Sequence, residues 1–221
     1  MTLADAAWAA LAQVRDPELD RPITELGFVA RLTAEAGAVR AELRLPTYFC
    51  APNFAWLMVA DARDALAALP GAGPVEVVLL DHFVAAEINA GVAAAGDFAG
   101  TFAGDADPGT DPALAGLRTT FERKAHLAAQ ERLACALVGA GADPAALSTL
   151  SFAAAARAAP EAVARRRARL GLTSEHALCD DEGAALPADR LPGWLRFART
   201  VRVSIDGNAG FCQGLLRTRY G

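Results

Sequence analysis

Residues 39–56 read VRAELRLPTYFCAPNFAW, and the period of the chain changes inside them. In VRAELRL, Val39, Ala41, Leu43 and Leu45 point one way and Arg40, Glu42 and Arg44 the other, the signature of a half-buried antiparallel strand with one wet face. From Pro52 the apolar residues Phe54, Leu57, Met58, Ala62, Ala65, Leu66 and Leu69 recur at helical spacing towards Pro70. Pro52 suits the first position of that helix, where its missing N–H is no loss. Cys50 sits at the corner where strand gives way to helix. Unpaired amides at a helix start favour an anion, so the thiol is expected to ionise more readily there, and thiolate is the form that binds metal. A small buried thiol packing a strand-to-helix corner is the alternative, and position alone leaves the two open.

Outward from this corner the N-terminal half reads as a compact α+β unit. Thr2 is placed to cap a helix carrying Leu3, Ala6, Ala7, Ala10, Leu11 and Val14, and Asp16-Pro17 stops it. Gly27 to Thr33 reads as a strand, Glu35-Ala36-Gly37 as its turn, PGAGP (70–74) as another turn and VEVVLL (75–80) as a short strand apolar enough to be central in a sheet. The order helix, strand, strand, helix, strand gives an α+β domain ending near residue 85. GDFAGTFAGDADPGTDPALAG (96–116) reads as a linker or long surface loop. Domains are expected at 1–103 and 104–221, the second mostly helical. Within it residues 111–139 and 160–170 read as helices, and Asp143-Pro144 starts a short one between them. Near the end Val201, Val203 and Ile205 alternate before Asp206-Gly207, which predicts a terminal β-hairpin.

Composition excludes several classes. A net charge of −5 and a pI near 5.2 argue against nucleic-acid binding. No run approaches the roughly 18 uncharged apolar residues of a membrane span. The first twenty residues lack a basic leader, so no signal peptide is expected. Four widely spaced cysteines then point to free thiols in a reducing cytoplasm. There is no phosphate-binding loop, since GAG (71–73) and GAGA (139–142) lack the Lys and Ser/Thr of a nucleotide site, and no Gly-x-Ser-x-Gly or His-Glu-x-x-His motif.

The run DPELDRPITELGFV (16–29), the hairpin after it, TYFCAPN (47–53) and VEVVLLDHF (75–83) together resemble the SufT/PaaD-like family of metal–sulfur cluster assembly proteins. Asp16, Pro17, Glu18, Ile23, Leu26, Gly27 and Val29 match the family's opening, and Thr47 and Cys50 its cysteine loop. The resemblance covers roughly residues 3–85. Ala51 intervenes between Cys50 and the proline, and DHF stands where the family tends to carry a proline and a tryptophan, which suggests a specialised branch. The resemblance implies a non-catalytic accessory factor that helps mature iron–sulfur or iron proteins, with iron or a cluster bound transiently. It further implies a client metalloprotein or assembly machinery as partner, and a homodimer.

Candidate ligands follow. Cys50 leads, since cluster iron is held by thiolates. His82, at a strand end, is a possible ligand or an ordinary hydrogen-bonded residue. Cys212 is the candidate second thiol if the terminal segment packs back on the first domain. Asp16 reads as a turn cap, while Glu18 is open between solvation and ligation. Cys135 reads as core, His176 and Cys179 as structural, and the basic run at 165–169 as a solvated helix face. The alternatives are an adaptor for a multicomponent oxygenase or, less readily, a cysteine-dependent enzyme lacking an adjacent base.

Overall fold

The computed structural model describes residues 2–103, 114–158 and 160–221. By packing, the chain divides into two units: Met1–Gly116 with Gly207–Gly221, and Leu117–Asp206. The expected boundary at 103/104 abuts residues 104–113, which lie outside the described residues.

In the first unit, helix α1 (Leu3–Leu11) opens with a capping box in which Thr2 and Asp5 satisfy one another's backbone amides at 3.1 and 2.8 Å. Two short strands, β1 (Arg15–Asp16) and β2 (Arg21–Pro22), then pair across the turn that holds Asp16 and Glu18. The main sheet has the order β3-β4-β5. Strand β3 (Val29–Glu35) runs antiparallel to β4 (Ala38–Arg44), and β4 runs parallel to β5 (Val75–Leu80). Parallel neighbours need a crossover, and helix α2 (Pro52–Ala67) provides it. The apolar face of β4 read from the sequence is buried: Val39, Ala41, Leu43 and Leu45 lie in the core with Leu57, Met58, Val59, Ala62 and Leu66 of α2.

Strand β5 is an edge, against the central place its apolarity suggested. Its outer side is covered in another way. Helix α3 (Ala85–Ala93) follows it, and the Asn89 side chain pairs with Leu79 as a neighbouring strand would. The Leu79 amide donates to Asn89 Oδ1 at 2.8 Å and Asn89 Nδ2 donates to the Leu79 carbonyl at 3.0 Å. That side-chain pairing satisfies the Leu79 amide and carbonyl on the edge. A short helix α4 (Phe98–Thr101) occupies part of the stretch read as linker.

The second unit is helical, built from α5 (Ala115–Gly139), two short 3₁₀ turns at Pro144–Ser148 and Ala154–Ala158, α6 (Glu161–Leu170) and the start of α7 (Leu191–Tyr220). Asp143 caps the first of those turns, its carboxylate accepting from the Ala145 amide at 2.9 Å. Leu133, Leu137, Leu147, Val163, Leu178 and Leu191 are among the residues forming its core.

The terminal hairpin is corrected: the chain ends in the thirty-residue helix α7. Leu191, Ala198 and Ile205 recur every seven residues and are buried, so the helical period prevails over the local alternation. Asp206 forms no turn and instead binds Arg132 at 2.7 Å and Arg202, one helical turn earlier, at 3.1 Å. Gly207 stands in open space, where its absent side chain leaves no packing defect. No helix among the described residues is long and apolar enough to cross a membrane.

Candidate functional site

Cys50 lies half-buried in the loop between β4 and α2, two residues before Pro52 begins the helix. Ala51, at the cap position, offers no side chain to the helix amides. Thr47 lies in the same loop, its Oγ1 3.1 Å from the Cys50 sulfur. The two residues matched to the family's cysteine loop are therefore in direct contact.

His82 reaches the loop from beyond β5. It is 6 % exposed, with Nε2 2.7 Å from the Cys50 carbonyl oxygen. The Val84 amide donates to its Nδ1 at 3.4 Å, so the proton belongs on Nε2 and that nitrogen donates to Cys50. Burial, above all, lowers its proton affinity; the Cys50 carbonyl opposes this, and the nearby Arg219 charge adds to it. Both ring nitrogens are thus engaged within the protein, and the ring braces the cysteine loop. A second bond, from the Phe83 amide to the Tyr48 carbonyl at 3.1 Å, joins the same two segments. Around the thiol the rings of Tyr48, Phe49 and Phe83 are 57, 73 and 45 % exposed, and Tyr48 and Phe83 contact one another at 5.9 Å.

Asp16 caps its turn as expected: its Oδ1 accepts from the Glu18 and Leu19 amides at 2.9 and 2.8 Å. Burial outweighs those two bonds and pushes its carboxyl up to about 6. Glu18 is exposed. The C-terminal part of α7 packs in this unit, with Leu216 Cδ2 3.2 Å from where a Cβ on Gly27 would stand and Gln213 donating to the Glu25 carbonyl at 3.1 Å. That packing brings in Cys212. Its thiol is pushed up to about 11, first by burial and then by the negative charge of Asp16, Cys50 and Glu18. The segment expected to supply the second thiol does return to the first unit, as a helix.

Among the described residues no three or more His, Cys, Asp or Glu side chains are grouped so as to hold a metal ion.

Elsewhere the structure corrects two expectations. Cys135 is exposed, its thiol donating to Glu131 at 3.3 Å, because it lies off the buried stripe of α5. The basic run is not a solvated face. Arg166 and Arg169 bind Glu122 at 2.8 and 2.7 Å, and Arg167 is buried, stacked 4.7 Å from the Phe152 ring. Arg167 also donates to the Ala177 carbonyl at 3.1 Å and to the Cys179 sulfur at 3.3 Å. Cys179 is structural, its backbone amide and carbonyl both held by Gln130 at 2.7 and 3.2 Å. His176 sits in a backbone bridge with Ser151.

The sequence did not single out Arg219, the exposed rings beside Cys50 or the Asn89 edge cap. The rings of TYF were visible as residues, but their exposure was not. No curated protein matches the chain. The resemblance carried by the DPE opening and the cysteine loop is borne out over most of its expected length: residues 4–78 match the family model described as iron–sulfur cluster assembly protein.

Proposed function

We infer that the chain is a non-catalytic accessory factor for assembling iron–sulfur or iron centres in a client metalloprotein, with the Cys50 thiol as its working group. The observation that carries this reading is the placement of Cys50 in the stretch that matches the assembly family. It is half-buried beside the Thr47 hydroxyl and ahead of a helix start with no side-chain cap. A thiol there gives up its proton on binding iron, and the helix amides favour the resulting charge. Few protein ligands hold the metal loosely, which suits a carrier that hands it on. Cys212 is the second thiol of this reading, Asp16 and Glu18 its acidic neighbours, and His82 the brace of the loop. A homodimer would bring two such thiols together, and the work would take place in a reducing cytoplasm with assembly machinery or the client as partner.

Anaerobic titration with ferrous iron and sulfide tests the reading. The expected result is thiolate-to-iron charge-transfer absorbance that Cys50→Ser abolishes. A Cys50→Ser protein that gives the same absorbance, or that supports full maturation of the client, overturns it. The adaptor reading draws on the exposed Tyr48, Phe49 and Phe83 rings, which are apolar surface suited to a partner protein. It predicts no such absorbance in either protein and loss of partner binding when the rings are replaced.

A further inference from the structure

We propose that Arg219 is a positioning residue for the Cys50 thiol, and that the C-terminal end of α7 thereby forms a working part of the cysteine site. The inference rests on the reading of Cys50 as the working thiol and adds what holds it in place.

The geometry is a fork. Arg219 Nη1 donates to the Leu45 carbonyl at 3.3 Å and Nη2 to the Asp81 carbonyl at 2.8 Å. Leu45 closes the alternating run and immediately precedes the loop that carries Thr47 and Cys50. Asp81 immediately precedes His82, which donates to the Cys50 carbonyl. One guanidinium therefore ties together the roots of the two segments whose tips meet at Cys50. A planar fork is suited to holding two acceptors at a fixed separation, and a lysine ammonium, a point charge on a flexible stem, is not.

Asp81 needs holding. Its φ is +52°, in the left-handed region that side chains other than glycine rarely adopt. Its carbonyl, in that conformation, accepts from Arg219 Nη2. The helix end is itself anchored. The Tyr220 ring contacts two guanidiniums, with Arg44 at 4.7 Å and Arg219 at 5.0 Å from its centroid, and Arg44 stands 3.8 Å from the Asp81 carboxylate. Every member of this cluster borders the cysteine loop or His82 in sequence or through Arg219. Arg219 is 138 residues from Asp81 and far beyond the stretch that matches the assembly family. The clamp's guanidinium lies outside the matched stretch.

The test uses the full-length metal-free protein. Alkylation of Cys50 by iodoacetamide is followed by mass spectrometry in the wild type, Arg219→Ala and Arg219→Lys, alongside hydrogen exchange over 46–51 and 82–84. Freed from the fork, the loop opens more often, and Cys50 labelling is expected to rise about tenfold in the alanine variant. Exchange over both segments should rise with it. Labelling of the exposed Cys135 and exchange along α2 should stay at wild-type values. The lysine variant should behave like alanine, because it keeps the charge and loses the fork. If alanine prevents folding, the lysine variant alone decides by the same criteria. Labelling within twofold of wild type overturns the proposal. So does recovery by lysine, or a rise shared equally by Cys135 and α2. Because the readout contains no iron, a failed cluster titration with an intact labelling effect would sink the assembly reading and leave the clamp standing.

Discussion

Asp16 should make the first unit less stable as pH rises from acid towards neutrality. The carboxyl is buried in the β1–β2 turn, and its folded value is raised from 3.8 to about 6, chiefly by that burial. Below about 3.8 it is protonated in folded and unfolded chains alike. Between that value and about 6 the unfolded chain ionises while the folded one keeps its proton, so each increment of pH favours unfolding; above it both are ionised and the penalty is constant. A gap of roughly two pH units corresponds to about 3 kcal/mol. Asp16→Asn removes the ionisation while an amide oxygen still accepts from Glu18 and Leu19. A fixed cost of placing the amide there is the same at every pH, so the informative quantity is the change in the variant's relative stability between pH 4 and pH 7. It should move by about 2 kcal/mol in favour of the variant, because part of the penalty is already present at pH 4. Urea unfolding of the metal-free full chain measures it, with Trp194→Phe in both proteins so that fluorescence reports Trp8 and Trp56 of the first unit. Stability curves that stay parallel, within about 0.5 kcal/mol across that range, would show that the turn leaves this carboxyl ordinary.

Two further outcomes follow from the same region. Cys212, with its thiol moved from 9.0 to about 11, should hold roughly a hundredfold less thiolate at pH 8 than an ordinary cysteine. It should be alkylated slower by a similar factor, and Asp16→Asn should speed it up; labelling at an ordinary rate contradicts the crowding of charge described there. Gly27→Ala should lower stability by about 1–3 kcal/mol, because its φ is +79° and the new methyl would stand 3.2 Å from Leu216 Cδ2. Thermal unfolding measures this, and Leu216→Ala in the same background should recover the contact part of the loss and leave the conformational part.

The sequence carried the first unit well because its elements are specified locally. The Thr2–Asp5 capping box, the strict alternation of β4 and the proline at the start of α2 each need no knowledge of the rest of the chain. Failures came where a distant partner decides. VEVVLL is apolar enough for a central strand, yet Asn89 and α3 cover its outer side, and covering is a tertiary fact. Asp206-Gly207 is a strong turn signal only while the seven-residue recurrence of Leu191, Ala198 and Ile205 is overlooked. Arg166 and Arg167 read as surface charge because nothing in a basic run announces Glu122 or the Phe152 ring waiting for it. At the candidate site, Cys50 and Thr47 were legible from the change of period and the family-like loop. The roles of His82 and Arg219 were not, since each acts on backbone carbonyls, which every residue possesses and no sequence pattern marks.

That distinction bears on what the matched stretch can do by itself. Residues 4–78 contain Cys50 and Thr47, but His82, Cys212 and Arg219 all lie beyond it. The strand, loop and helix that present the thiol are therefore separable in sequence from His82 and Arg219, whose hydrogen bonds hold the loop's backbone and its flanks. On the clamp proposed above, the loop's sulfur lies within the matched stretch while its mobility is set by positions beyond it, the 81–84 turn and the last helical turns. Thiolate chemistry depends on both: burial and neighbouring charge govern ionisation, and loop opening governs access. A helix that returns to the cysteine loop after an excursion of more than a hundred residues acts on the second through the Arg219 fork. Substitutions in α7 near residue 219 should accordingly tune how readily Cys50 meets a partner, and those at Thr47 how the sulfur behaves once met.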